Sequence, residues 1–137
     1  MTSLRALRGP LVVGALGAGA LVALAVRDPH VAGSWGSCVF LQATGHWCPG
    51  CGGLRAVNDL AHLDAGAALS SNAAAVALIA GLTAWWVVWT WTSARGVRVR
   101  WQRWLNGWTI GGLTALWAVF AVVRNLPGFE ALGPAPV

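Results

Sequence analysis

Three stretches of this chain carry no charged side chain and are long enough to cross a lipid bilayer. Eighteen residues separate Arg8 from Arg27 without a charge. Wound as a helix at 1.5 Å per residue they reach about 27 Å, close to the depth of a hydrocarbon core. A second uncharged stretch runs from Ala65 to Ala94, and a third fills the twenty residues between Arg103 and Arg124. Charged residues make up 9% of the chain, against roughly a quarter in soluble domains. A soluble bundle of this size would need polar faces on its helices, and there is too little charge to build them. The expected fold is therefore an all-α integral membrane domain over residues 1–137. Its transmembrane helices should lie at about 10–26, 73–91 and 106–123, joined by a long loop at 27–72.

The net charge is +5, and all nine basic residues are arginine. These arginines flank the apolar stretches and do not line a polar face, so no nucleic-acid partner is expected. Six of the nine (Arg5, Arg8, Arg95, Arg98, Arg100 and Arg103) belong to the N-terminus and to the connection between the second and third stretches. Positive residues are retained on the cytoplasmic side. That places the N-terminus in the cytoplasm and the 27–72 loop outside it, in a multi-pass protein of the cell membrane. Trp85, Trp86, Trp89, Trp91, Trp101, Trp104 and Trp108 cluster at the cytoplasmic ends of the second and third stretches, where indole rings favour the interface. Ser70, Ser71 and Asn72 are placed to cap the second helix; Asn106 lies near the start of the third, and Leu126-Pro127-Gly128 stops it. Gly14 and Ala18 give the first helix a small-residue face suited to close packing. Ala23-Leu24-Ala25 also follows the pattern of a signal-peptidase site, and cleavage there would leave two passages.

The loop concentrates the reactive side chains. It contains the run GHWCPGCGGLRA at 45–56, with Cys48 and Cys51 across a Pro-Gly link and Cys38 ten residues upstream. After the motif, Leu54, Val57, Leu60 and Ala61 recur at helical spacing, with Arg55, Asn58, Asp59 and His62 on other faces. That pattern predicts a short amphipathic helix at the membrane surface. Asp64 is placed to cap a further helical turn through Leu69.

Cys48-Pro49-Gly50-Cys51-Gly52, then Arg55-Ala56, with Cys38 upstream and Asn72 downstream, resembles the bacterial domain-of-unknown-function 2752 family. Members are small integral membrane proteins with a C-P-x-C-G-x-T-R-A motif between apolar helices and an Asn-Pro pair opening the next helix. The resemblance covers roughly residues 35 to 80 and implies that Pro49, Gly52, Arg55 and Asn72 support the motif. Leu54 stands where the family usually has Thr, and Ala73 where it usually has Pro. The family brings no activity with it.

Three kinds of chemistry suit the cysteines. Outside the cytoplasm thiols tend to oxidise, and a bridge from Cys38 to Cys48 or Cys51 would contribute roughly 2–3 kcal/mol by closing its loop. Alternatively, Cys48 and Cys51 form a C-x-x-C redox dithiol at the start of a helix, with Cys38 as exchange partner. Finally, Cys38, His46, Cys48 and Cys51 supply a Cys₃His donor set for zinc, with His62 as a substitute for His46. The structural bridge leads these expectations. Arg55 suits an interfacial contact with lipid phosphate, with an anion or partner contact as the sharper reading. No Ser/His/Asp set, paired carboxylates or phosphate loop is present. The leading expectation is a non-enzymatic component of a membrane complex that binds the lipid bilayer and another membrane or extracytoplasmic protein. The alternative is a thiol-redox or zinc-binding protein.

Overall fold

The computed structural model describes residues 4–97, 99, 106–129, 132 and 133. Arg98, Arg100, Trp101, Arg103 and Trp104 lie outside the described residues, and the side chain of Arg5 is not described. Five helices follow in order: α1 Leu4–Val26, α2 Val39–Thr44, α3 Gly53–Ala61, α4 Ala65–Ala94 and α5 Gly107–Val123. No strand occurs among the described residues.

Two helices are long and apolar enough to cross a membrane, α1 from Ala6 to Val26 and α4 over its whole length. Neither is the core helix of a soluble protein. Only 11% of the most apolar window of α1, and none of that of α4, is buried inside the molecule. Val12, Leu16, Val22, Leu82 and Val87 are all more than half exposed. The described interior is the reverse of a soluble core. It holds Leu24, Ala56, Ala68 and Pro10, but also Asn58, Asp59, Ser71, Asn72 and Arg124. Polar groups inside and aliphatic groups outside suit a lipid solvent, because lipid cannot satisfy a hydrogen bond. All regular structure among the described residues is helical, and the two long, exposed apolar helices support a membrane protein. Apolar α5 has 17 residues and is shorter than the other two.

The helix ends follow the sequence signals, with one shift. Asn106 caps α5 in a reciprocal capping box with Thr109, and the Asp64 side chain accepts from the Ala67 N–H at the start of α4. The helix expected from 73 begins eight residues earlier. Asn72 is extended (φ −167°, ψ 96°) inside α4 and breaks it into a short leading turn and a long apolar shaft. Its side chain caps the shaft, accepting from the Ala75 N–H at 2.9 Å. Ser70 and Ser71 take other partners: Ser70 Oγ donates to the Ala67 carbonyl and Ser71 Oγ to Asp59.

α1 and α4 meet through the small-residue face of α1. A Cβ on Gly14 would stand 2.7 Å from the Trp86 ring, and one on Gly9 would stand 3.0 Å from Trp89. The Trp86 indole N–H donates to the Pro10 carbonyl at 2.9 Å. Trp86 is thus a packing residue between helices. Trp91 and Trp108 are well exposed, as a belt residue should be.

α3 differs from its expected role. It packs against α4 and α1 and turns its polar residues inward. Asn58 donates to the Leu24 carbonyl at 2.7 Å, and Asp59 accepts from Ser71 at 2.8 Å, while Leu54 is 46% exposed. The exposed end of α1 and the first turns of α4 offer partners that water would otherwise supply. Burial of the polar face follows from that.

Candidate functional site

The loop cysteines converge. Cys48 and Cys51 Sγ are 2.7 Å apart, Cys38 Sγ is 3.5 Å from that of Cys48, and all three lie within 4.8 Å of one another. Local geometry produces this. Cys38 precedes α2 in extended backbone and α2 ends on Gly45 in the left-handed region, which returns the chain toward its start. Cys48 to Gly53 form two tight turns, closed by the Cys51 N–H to the Cys48 carbonyl and the Gly53 N–H to the Gly50 carbonyl. Gly52 opens α3 at φ 82°, a conformation that costs a side-chain-bearing residue about 1 kcal/mol or more. That accounts for glycine in the motif.

Three distant side chains clamp this loop by its carbonyl groups. Asn72 Nδ2 donates to the Pro49 and Cys51 carbonyls, both at 3.0 Å. Arg124 reaches back from the end of α5, with Nη1 donating to the Cys48 carbonyl at 2.8 Å and Nη2 to the Cys51 carbonyl at 3.2 Å. Asn125 accepts from the Trp47 N–H and donates to the Trp47 carbonyl. Arg124 is 2% exposed and lies over the Phe120 ring. Its Nε has no partner, and no carboxylate pairs with it among the described residues.

The thiols are not equivalent. Burial, reinforced by the neighbouring Cys48 and Cys38 thiols, pushes Cys51 up to about 12. Cys38 is pulled below the ordinary thiol value, first by the Leu41 N–H at the start of α2 and then by the Cys51 side chain. The lowered thiol is therefore Cys38, whereas the sequence directed attention to the C-x-x-C pair.

Of the other expected residues, Asn72 is part of the site, and Pro49 contributes a clamped carbonyl. Arg55 sits half-buried in the first turn of α3. His46 is not among the clustered donors. Its Nδ1 lies 2.8 Å from the Thr44 carbonyl. His62 caps α3 with Nδ1 at 2.9 Å from the Asn58 carbonyl, and lines a separate open cleft of about 320 Å³ with Asp28, His30, Asp59 and Asp64. Arg124 and Asn125 were not foreseen as site residues. Their one sequence signal was a polar pair immediately after an apolar helix.

Residues 38–86 match the family described as Protein of unknown function (DUF2752). The match covers the cysteine motif, α3 and α4 as far as Trp86, the region in which the sequence resembles that family. Comparison with curated proteins and with solved structures gave no match.

Proposed function

We propose that this protein is a multi-pass membrane protein whose outward loop holds a thiophilic divalent metal ion, of the zinc kind, on Cys38, Cys48 and Cys51. α5 would serve as a third passage, with the N-terminus cytoplasmic and the cysteine loop outside. The supporting observation is Arg124. A buried guanidinium with no carboxylate beside it is an uncompensated charge that costs several kcal/mol, and its two carbonyl bonds do not neutralise it. Three thiolates around a divalent ion carry one net negative charge, which Arg124 would balance. A disulfide is neutral and would leave Arg124 without a counter-charge. The ligand types agree, since thiolate selects soft and borderline ions. Bound there, the ion would fix the loop and keep all three thiols ionised. The role is non-enzymatic in this reading, and a metal-bearing loop outside the membrane suits exchange with another membrane or extracytoplasmic protein.

Metal analysis of protein purified in detergent from membranes tests this. About one zinc per chain is expected, lost on Cys38→Ser, Cys48→Ser or Cys51→Ser. Protein that stays metal-free when reduced and supplied with zinc would overturn the proposal. One observation favours a second reading. The 2.7 Å separation of Cys48 and Cys51 suits a dithiol that opens and closes, with Cys38 next in line. A reversible Cys48–Cys51 bridge in metal-free protein would establish that reading instead.

A further inference from the structure

The donor count at the cysteine cluster bears on what the proposed ion could bind. Among the described residues, three donors come together there. The other candidates among the described residues are occupied elsewhere. His46 turns to Thr44. His62 turns to Asn58. His30 lies between Asp28 and Asp59, at 2.9 and 3.2 Å. Asp59 also accepts from Ser71, and Asp64 caps α4. Structural zinc sites are closed by four protein ligands, whereas three leave a position for water or an incoming ligand.

Access favours the second case. Gly50 is exposed, and a Cβ built on it would meet one atom within 4 Å, the Cys48 Sγ at 3.9 Å. Glycine at this position therefore leaves the Cys48 sulfur uncovered on a side where a side chain would stand in contact with it. Gly50 is not in the left-handed region, so backbone strain does not explain its lack of a side chain.

We infer that an ion held by Cys38, Cys48 and Cys51 keeps one position free of protein, open past Gly50 to a small thiol. This rests on the metal reading above. The thiol would bind as thiolate in place of water, releasing its proton to solvent, with no change in oxidation state. A soft fourth donor matches the three already present.

The test uses the full chain in detergent, reduced, freed of metal and loaded with Co²⁺, with 2-mercaptoethanol as probe. Sulfur-to-cobalt absorption should rise by about one third, as three sulfurs become four. Gly50→Val should load the same amount of cobalt but need at least about tenfold more thiol, a handicap of about 1.4 kcal/mol. Loaded protein whose spectrum ignores the thiol would show a closed site. Thiol that strips out the cobalt would also overturn the inference. Both outcomes leave the metal proposal standing. A chain that takes up neither Co²⁺ nor Zn²⁺ brings both down.

Discussion

Arg124 does its work through the fork of its guanidinium, which spans two carbonyl groups three residues apart. A lysine carries the same charge on a single nitrogen and cannot reproduce that bridge. Arg124→Lys should therefore keep the charge, lose one clamp and lower stability by roughly 1–3 kcal/mol, the cost of an unpaired buried polar group. Thermal unfolding in detergent reads this directly. The thiols support two further predictions. With Cys38 pulled down and Cys51 pushed up to about 12, metal-free protein should be alkylated first at Cys38 and last at Cys51 near neutral pH, because the thiolate is the nucleophile. Peptide mass spectrometry after a short iodoacetamide pulse gives the order, and equal labelling would contradict it. The same protonation sets the pH dependence of metal uptake. Near neutral pH, binding at Cys51 must displace its proton, so affinity should rise at least about tenfold per pH unit between pH 6 and 8. Competition with a chelator measures the slope. The cysteines themselves were legible from their spacing. Arg124 was not, since 76 residues separate it from Cys48 and its proximity arises only in the fold.

At the scale of elements, α4 joins the site to the membrane helices. Asn72 interrupts it, caps the shaft below and donates to the loop above. The cap was legible as a polar residue before an apolar run. The helical turn from Ala65 was only partly so, because the sequence does not say that two helices run on across Asn72. α3 was legible as a helix but not in its orientation, since the partners of Asn58 and Asp59 come from α1, from α4 and from His30 in the loop after α1. The α1–α4 contact makes its own prediction. Gly14 lies against the Trp86 ring while Gly17 has nothing within 4 Å. Gly14→Val should force the helices apart and strain the Trp86 bond to Pro10, costing roughly 1–3 kcal/mol by overpacking. Gly17→Val should be nearly silent. Melting temperatures of the two variants side by side decide it, and equal effects would mean that α1 does not dock on α4 through this face. The docking also bears on the signal-like Ala23-Leu24-Ala25. Removal of α1 would strip Trp86 of its partner and leave Asn58 without the Leu24 carbonyl.

The whole molecule is built with its polar groups toward one end of the helices and toward each other. Asn58, Asp59, Ser71, Asn72 and Arg124 bond to one another or to backbone carbonyls, with Arg124 Nε left over, while α1, α4 and α5 present aliphatic surface around them. That distribution was legible as a lack of charge long before any contact was known. Which side of the membrane the polar end faces rests on arginine alone. Arg8 and Arg95 are exposed at the end of the α1–α4 pair opposite the cysteine loop, and Arg95 stacks on Trp91, the arrangement of a charge and an aromatic ring sharing an interface. Membrane insertion retains such arginines in the cytoplasm, so the cysteine loop should emerge outside. An impermeant maleimide applied to intact cells after mild reduction and treatment with an impermeant chelator should therefore label Cys38, the cysteine whose thiol is lowered. A Cys38→Ser variant serves as the control, with its remaining label falling several-fold. Changing Arg95, Arg98, Arg100 and Arg103 to glutamine should scramble the orientation, since each contributes on the order of 1 kcal/mol near an anionic membrane surface. Labelling in whole cells should then drop and recover on lysis. If the native chain itself is labelled only after lysis, the loop is cytoplasmic, and the proposed ion would have to come from that side.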